Sequence, residues 1–477
     1  MPLLTAATGG FIEGDAGEVL PTAWMIAHGD FGCAYPNSFA PASSAQTLPM
    51  IPVLAAPLYP LIASGYLALL SPRPAPAFPS ARAAGPGCAR SYALVSRWMS
   101  DAGVYLSTLW SASLAWIALA GAMWMALKES RHRRSRALAL FVAALALGPP
   151  LYEAFAAYYH PQDLLAIALA VLAARRAGRR QWVAAGVLCA LGLLTQQFDL
   201  FVALPLLVAS LRLRDTRFLT GLVATYVAIA VPLLVLSHGT VLRALVLGSD
   251  RLTPSHHAIH SSGGTWLAGL HPAPIVAFVV ARILPVVLSA ALSVWAARRL
   301  GADIIQPQYL MPVIGISFAL RLLFEMNMFG YYFAAVYVFA LLSLAFARLN
   351  ARAMAVGLGL FMIGFDPLVF TSKFMGITVT TSYLRLPGLA VLAVLVALSL
   401  LRLRERNVVV AEWVCLAAAL VATWPLLGES VPALRPIPYW ILQLVLGALV
   451  LVMLAAPLRA RALGSSESTA PDLGPDS

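Results

Sequence analysis

Glu13, Asp15 and Glu18 crowd into the glycine-framed stretch GFIEGDAGEV near the start of the chain. A carboxylate in such a place can take the proton from a hydroxyl as its oxygen attacks, if it lies within hydrogen-bond reach and titrates near the working pH. Acidic runs are more commonly solvated loop faces, so the cluster gains meaning only from its surroundings. Other polar groups sit at the ends of apolar runs or inside them. Arg282 stands within VAFVVARILPVV with no partner close in sequence, and Arg321 and Glu325 are one helical turn apart in RLLFEMNMFG. His160, Gln162 and Asp163 open the run HPQDLLAIALA, and Gln196 and Gln197 interrupt apolar sequence just before Asp199. Ionisable groups at membrane depth are costly, which makes each a site candidate by default. The plainer readings are a self-contained Arg321–Glu325 pair that orders a helix end and a capping role for Asp163. Glu153 and Asp366 belong with Asp163 and Asp199 to the same class of acids at span ends.

Two other constellations carry less. In SHHAIHSSGGTWLAGLH, His256 and His260 have the spacing that places two imidazoles on one helical face, with His257 and His271 nearby. No glutamate intervenes and Ser-Ser-Gly-Gly follows at once, so a covering loop is expected and no metal site is assigned. Of the four cysteines, Cys189 and Cys415 fall within apolar runs, whereas Cys33 and Cys88 share the first polar-flanked segment. A disulfide between Cys33 and Cys88 and two unpaired thiols are both open readings.

The elements that position these residues follow from composition. Apolar residues make up 61% of the 477 positions and charged residues 11%, which excludes an ordinary soluble domain. Without water, an unpaired backbone amide is too costly, so runs of about 20 apolar residues imply spanning helices. Runs lie near 104–127, 137–157, 162–174, 181–195, 198–211, 218–237, 275–297, 305–324, 330–347, 353–371, 385–402, 408–427 and 436–457. The expectation is an all-α, polytopic bundle with about 11–14 spans. The three runs at 162, 181 and 198 are short for a crossing, as in tilted, broken or re-entrant helices that line a site.

The net charge of +12 raises the question of nucleic acid, and placement answers it. Of 32 Lys and Arg residues, 21 sit in seven short breaks: 128–136, 175–180, 212–217, 298–299, 348–352, 402–406 and 459–461. Basic breaks alternating with apolar runs follow the positive-inside rule, so membrane lipids, not nucleic acid, are the expected surroundings. This topology puts the C-terminus in the cytoplasm and residues 1–103 outside, as a large first loop with interfacial elements. Residues 104–457 form the bundle and 458–477 a disordered cytoplasmic tail. The proline-rich run at 48–70 suits an interfacial or kinked element. An outer position for residues 1–103 predicts a further helix ahead of Met1, lost to a late start codon or to trimming.

An acid after a first span, an alanine-rich stretch, Gly29 and then Tyr35-Pro36 resembles the first outer loop of GT-C fold glycosyltransferases. The likeness is strongest to the polyprenyl-phosphate-mannose-dependent family 87. The segment 160–207 is similar to the family's stretch in which His-Pro opens a span, a basic turn and an Ala-Gly-rich helix follow, and a polar residue precedes Leu-Pro-Leu. Val19 replaces the usual aromatic, leaving the register among Glu13, Asp15 and Glu18 open. Gln196 or Gln197 replaces a common lysine, so cations elsewhere must meet the donor phosphate.

The resemblance implies a bacterial plasma-membrane transferase working on the extracytoplasmic face. It would pass a sugar, mannose by likeness, from a polyprenyl-phosphate donor to a lipid-linked or cell-envelope acceptor. Asp15 would be the base, with Glu13 and Glu18 as acidic partners and Arg282 and Arg321 as phosphate ligands. His160, Gln162, Asp163, Gln196, Gln197 and Glu325 would bind sugar or acceptor. No cofactor beyond the donor is required. A transporter or flippase of a lipid-linked sugar and a noncatalytic subunit of an envelope-synthesis complex are the other readings.

Overall fold

The computed structural model describes residues 105–129, 160–236, 273–325 and 334–346, five single positions between these stretches (151, 154, 267, 270 and 332), and the backbone of strands at 371–374 and 377–380. Helices α1 (Tyr105–Leu127), α2 (Pro161–Gly178) and α3 (Trp182–Thr195) come first, followed by a 3-10 turn, Gln197–Asp199. Next are α4 (Leu200–Arg212), α5 (Arg217–Leu236) and α6 (Pro274–Phe278), which passes through a π turn at Val279–Ile283 into α7 (Leu284–Leu300). A 3-10 turn, Gly301–Ile305, leads to α8 (Pro307–Leu323), and α9 is Ala334–Phe346. Strands β1 (Thr371–Phe374) and β2 (Ile377–Thr380) pair antiparallel with Thr371 opposite Thr380. This ribbon was not foreseen; it falls between the expected runs at 353–371 and 385–402.

Apart from that ribbon the described residues are helix and turn. Chain punctuation accounts for the breaks. Prolines 161, 274 and 307 occupy first-turn positions, where a missing amide hydrogen costs nothing, and Pro285 stands just after the π turn inside the continuous helix. Gly301 closes α7 with φ 58°, in the left-handed region where a side chain would be strained.

The helices pack α1 on α2, α2 on α3, α3 on α5, α4 on α7, and α8 on α7 and α9. Alanines dominate one face of α2, and Ala166, Ala170, Val171, Ala173 and Ala174 are buried there, so neighbouring backbones approach closely. Gly186 and Gly221 form the tightest crossing. A Cβ on Gly186 would strike the Phe218 carbonyl and come within 2.7 Å of the Leu222 nitrogen. One on Gly221 would lie 2.5 Å from the Val183 oxygen. Three buried hydroxyls bond within their own helices: Ser293 donates to the Ser289 carbonyl, Ser317 to Val313 and Ser343 to Phe339.

Among the described residues, two helices are long and apolar enough to cross a membrane: Arg217–Leu236 and the continuous helix Ile275–Ile305. Both are mostly bare, with Val231, Val235, Ile275 and Val287 among their exposed residues. Soluble monomers rarely display apolar flanks of this length. The helices at 161–178, 182–195 and 200–212 match the three expected short runs.

Candidate functional site

The helices' turns sort their polar residues to two ends. At one end α2 begins, α3 gives way to α4, and α8 stops. The polar residues there lie far closer together than their sequence positions.

His160 precedes the proline that starts α2, and Gln162 and Asp163 lie in its first turn. All three are buried, as are Gln196 and Asp199 at the break between α3 and α4. The Gln196 amide donates to Asp163 Oδ1 at 2.5 Å, while the Gln196 carbonyl accepts from the Asp199 backbone N–H at 3.1 Å. Gln162 Nε2 donates to His160 Nδ1 at 3.1 Å, and that ring nitrogen lies 4.0 Å from Asp163 Oδ1. The Asp199 carboxylate rests against Gly192, where a Cβ would overlap it. Among the described residues, Asp199 Oδ1 and Gln162 Oε1 have no hydrogen-bond donor although both are fully buried. The cluster therefore has spare acceptors. A buried acceptor without a donor is costly, and ligand hydroxyls are a natural partner.

The second group adjoins the first through one ring. Arg282 Nη1 sits 3.0 and 3.1 Å from the two oxygens of Glu325, which lies 43 residues along the chain. Arg321 Nη2 is 3.5 Å from Glu325 Oε2, so one carboxylate holds two guanidinium groups. The Arg321 guanidinium also lies over the rings of Phe198, at 5.5 Å, and Tyr332, at 5.3 Å. Phe198 packs edge-on against Phe318 at 5.8 Å, which fixes the shelf under the cation. Glu325 is buried, whereas the Arg282 side chain is 40% exposed. Among the described residues, two guanidinium groups on one carboxylate leave a surplus positive charge facing partly outward, suited to an anion.

The expected site residues fare differently. Arg282, expected without a partner close in sequence, pairs with Glu325, and the Arg321–Glu325 turn closes as an ion pair with Arg282 added. Glu325 thus holds cations here and does not join His160, Gln162, Asp163 and Gln196. Those four do gather. Gln197 is exposed and stands outside the cluster. Asp199, grouped in the sequence with the acids at span ends, and Phe198, which the sequence reading does not name, emerge as further members. Their signal was an aromatic and an acid directly after a Gln-Gln break.

Asp15, Glu13, Glu18, Cys33, Cys88, Cys415, Glu153, Asp366 and the histidines at 256, 257, 260 and 271 lie outside the described residues. Cys189 is a buried free thiol. Among the described residues no group of three or more His, Cys, Asp or Glu stands together to hold a metal. Compared with protein-family models, curated proteins and solved structures, the chain matches none.

Proposed function

We propose that the chain is a multi-pass membrane glycosyltransferase of GT-C type. It takes a sugar from a polyprenyl-phosphate carrier and passes it to a lipid-linked or envelope acceptor on the extracytoplasmic face. The observation that carries the reading is the adjacency of two groups of opposite character. Buried acceptors without a donor on Asp199 and Gln162 lie beside an arginine pair of net positive charge, linked through Phe198, the neighbour of Asp199 whose ring lies under Arg321. A sugar phosphate has this polarity: hydroxyl donors at one end and an anion at the other. Bare apolar flanks on α5 and on α6–α7 suit a donor whose long tail stays in lipid.

In this reading the Asp163–Gln196–Asp199 cluster orients sugar hydroxyls, and Arg282 and Arg321 stabilise charge that grows on the phosphate oxygen as the glycosidic bond breaks. Asp15 takes the acceptor proton, and Glu13 and Glu18 are its acidic neighbours. Mannose is the expected sugar by likeness.

The test is transfer from a polyprenyl-phosphate sugar in proteoliposomes holding the full chain. Asp15→Asn should abolish transfer, and Arg282→Gln should lower it about 100-fold or more, as loss of a transition-state charge contact does. Activity retained in Asp15→Asn would remove the base assignment. Movement of labelled lipid-sugar across the bilayer without product would favour a flippase.

A further inference from the structure

The opposite end of the bundle is basic in a way that the proposed chemistry does not use. The Glu129 carboxylate after α1 holds both Arg175 and Arg179, tying α1 to the α2–α3 turn. Gly178 in that turn lies against the Ile305 carbonyl, which brings in the α7–α8 connection. Asp215, between α4 and α5, is held below the ordinary carboxylate range by hydrogen bonds from Arg217, so it stays charged and engaged. Asp303 accepts from the Gln306 amide. Among the described residues, each acidic group at this end is therefore occupied. Arg180, Arg212, Arg214, Arg298 and Arg299 are exposed, and none has a carboxylate partner among the described residues.

Two of these arginines occupy a backbone position that disfavours them. Arg180 has φ 59° and Arg214 φ 56°, the two non-glycine residues with positive φ among those described. They sit in the same helix-ending motif. The amides of Arg180 and Gln181 reach the carbonyls of Ala177 and Arg176, and those of Arg214 and Asp215 reach Leu211 and Ser210. Glycine is the usual occupant of this position, because a left-handed L-residue is strained. Strain repeated at two turns, with the same cation each time, points to a use for the side chain.

Resting on the membrane reading above, we propose that this end is a collar for anionic phospholipid headgroups, with Arg180 and Arg214 as its principal contacts. Guanidinium groups bind phosphate in a fork geometry. The bare apolar helix α5 starts at this end, with its Gly221 against Val183, and the continuous α6–α7 helix closes here, with Ile305 against Gly178. That arrangement fits a lipid surface better than a soluble polyanion.

The full chain would be reconstituted in phosphatidylcholine vesicles with and without phosphatidylglycerol. Binding of a fluorescent phosphatidylglycerol and the thermal midpoint would be read in each. The double variant Arg180→Gly, Arg214→Gly should lose phosphatidylglycerol preference by roughly fivefold per arginine. Its midpoint in phosphatidylcholine should equal or exceed that of the unmodified chain, since the strain is gone. If that pair folds poorly, Arg180→Asn with Arg214→Asn, also tolerant of the left-handed region, should show the same loss. An unchanged phosphatidylglycerol preference in either double variant would overturn the collar. Release of the unmodified chain from both vesicles by alkaline carbonate would overturn the membrane reading and the collar with it.

Discussion

Glu325 is the residue on which the cationic half of the site depends. A buried carboxylate that holds two guanidinium groups is balanced only while both kinds of partner remain. Glu325→Gln should therefore lower stability by about 3–5 kcal/mol, since it leaves two cations beside an apolar core. Arg282→Gln should cost less, because Arg321 remains within 3.5 Å of the carboxylate and Arg282 is already partly exposed. Thermal midpoints of the two variants in detergent check the order, and equal losses would contradict it. The sequence showed Arg321 and Glu325 as a helical pair because their spacing alone brings them together. It could not show Arg282, whose partner arrives from another helix.

At the scale of the elements, close backbone approach decides the architecture. The α3–α5 crossing is possible because Gly186 and Gly221 each leave room for the other helix's main chain. Gly186→Ala should destabilise by about 1–3 kcal/mol, the usual penalty for forcing atoms into filled space, because rigid backbone and not a side-chain tip is in the way. Gly121→Ala, where a Cβ meets nothing within 4 Å, is the control and should be neutral or slightly stabilising, read by thermal melting. The π turn at Val279–Ile283 carries Arg282, and the same helix continues as α7 to the basic end. Such turns recur at functional positions, since the extra residue rotates one side chain without ending the helix. Helix boundaries were legible from prolines, glycines and apolar runs. The π turn was not, because nothing in VVARI distinguishes it from ordinary helix.

For the molecule as a whole, the dominant feature is its two unlike ends. Arg282 and the Arg298–Arg299 pair lie on one continuous helix with no charge between them, Arg282 and Arg299 being separated by about 25 Å at 1.5 Å per residue. That span approaches the thickness of a bilayer's hydrocarbon core, roughly 30 Å. In a background lacking the four native cysteines, Gln197→Cys should react with a membrane-impermeant maleimide in intact cells. Arg299→Cys should react only after permeabilisation. Labelling of both in intact cells, or the reverse order, would contradict the proposed orientation.

The helical class, most helix boundaries among the described residues between 105 and 346, the short central helices and the clustering of basic residues in turns are all readable from sequence. All of these follow from local chemistry: backbone amides that must be paired, prolines that favour first turns, and charges that gather in the breaks between apolar runs. The sequence also named Asp163, Gln196, Arg282 and Arg321 as candidates, because polar groups beside apolar sequence are costly wherever they fall. Only the tertiary structure decided that Gln196 reaches Asp163 across 33 residues and that Glu325 serves the arginines. It also placed the ring of Phe198, the neighbour of Asp199, under Arg321. Partnerships of this kind depend on which helix faces which, and that is set by close contacts such as Gly186 against Phe218, not by any periodicity within one segment.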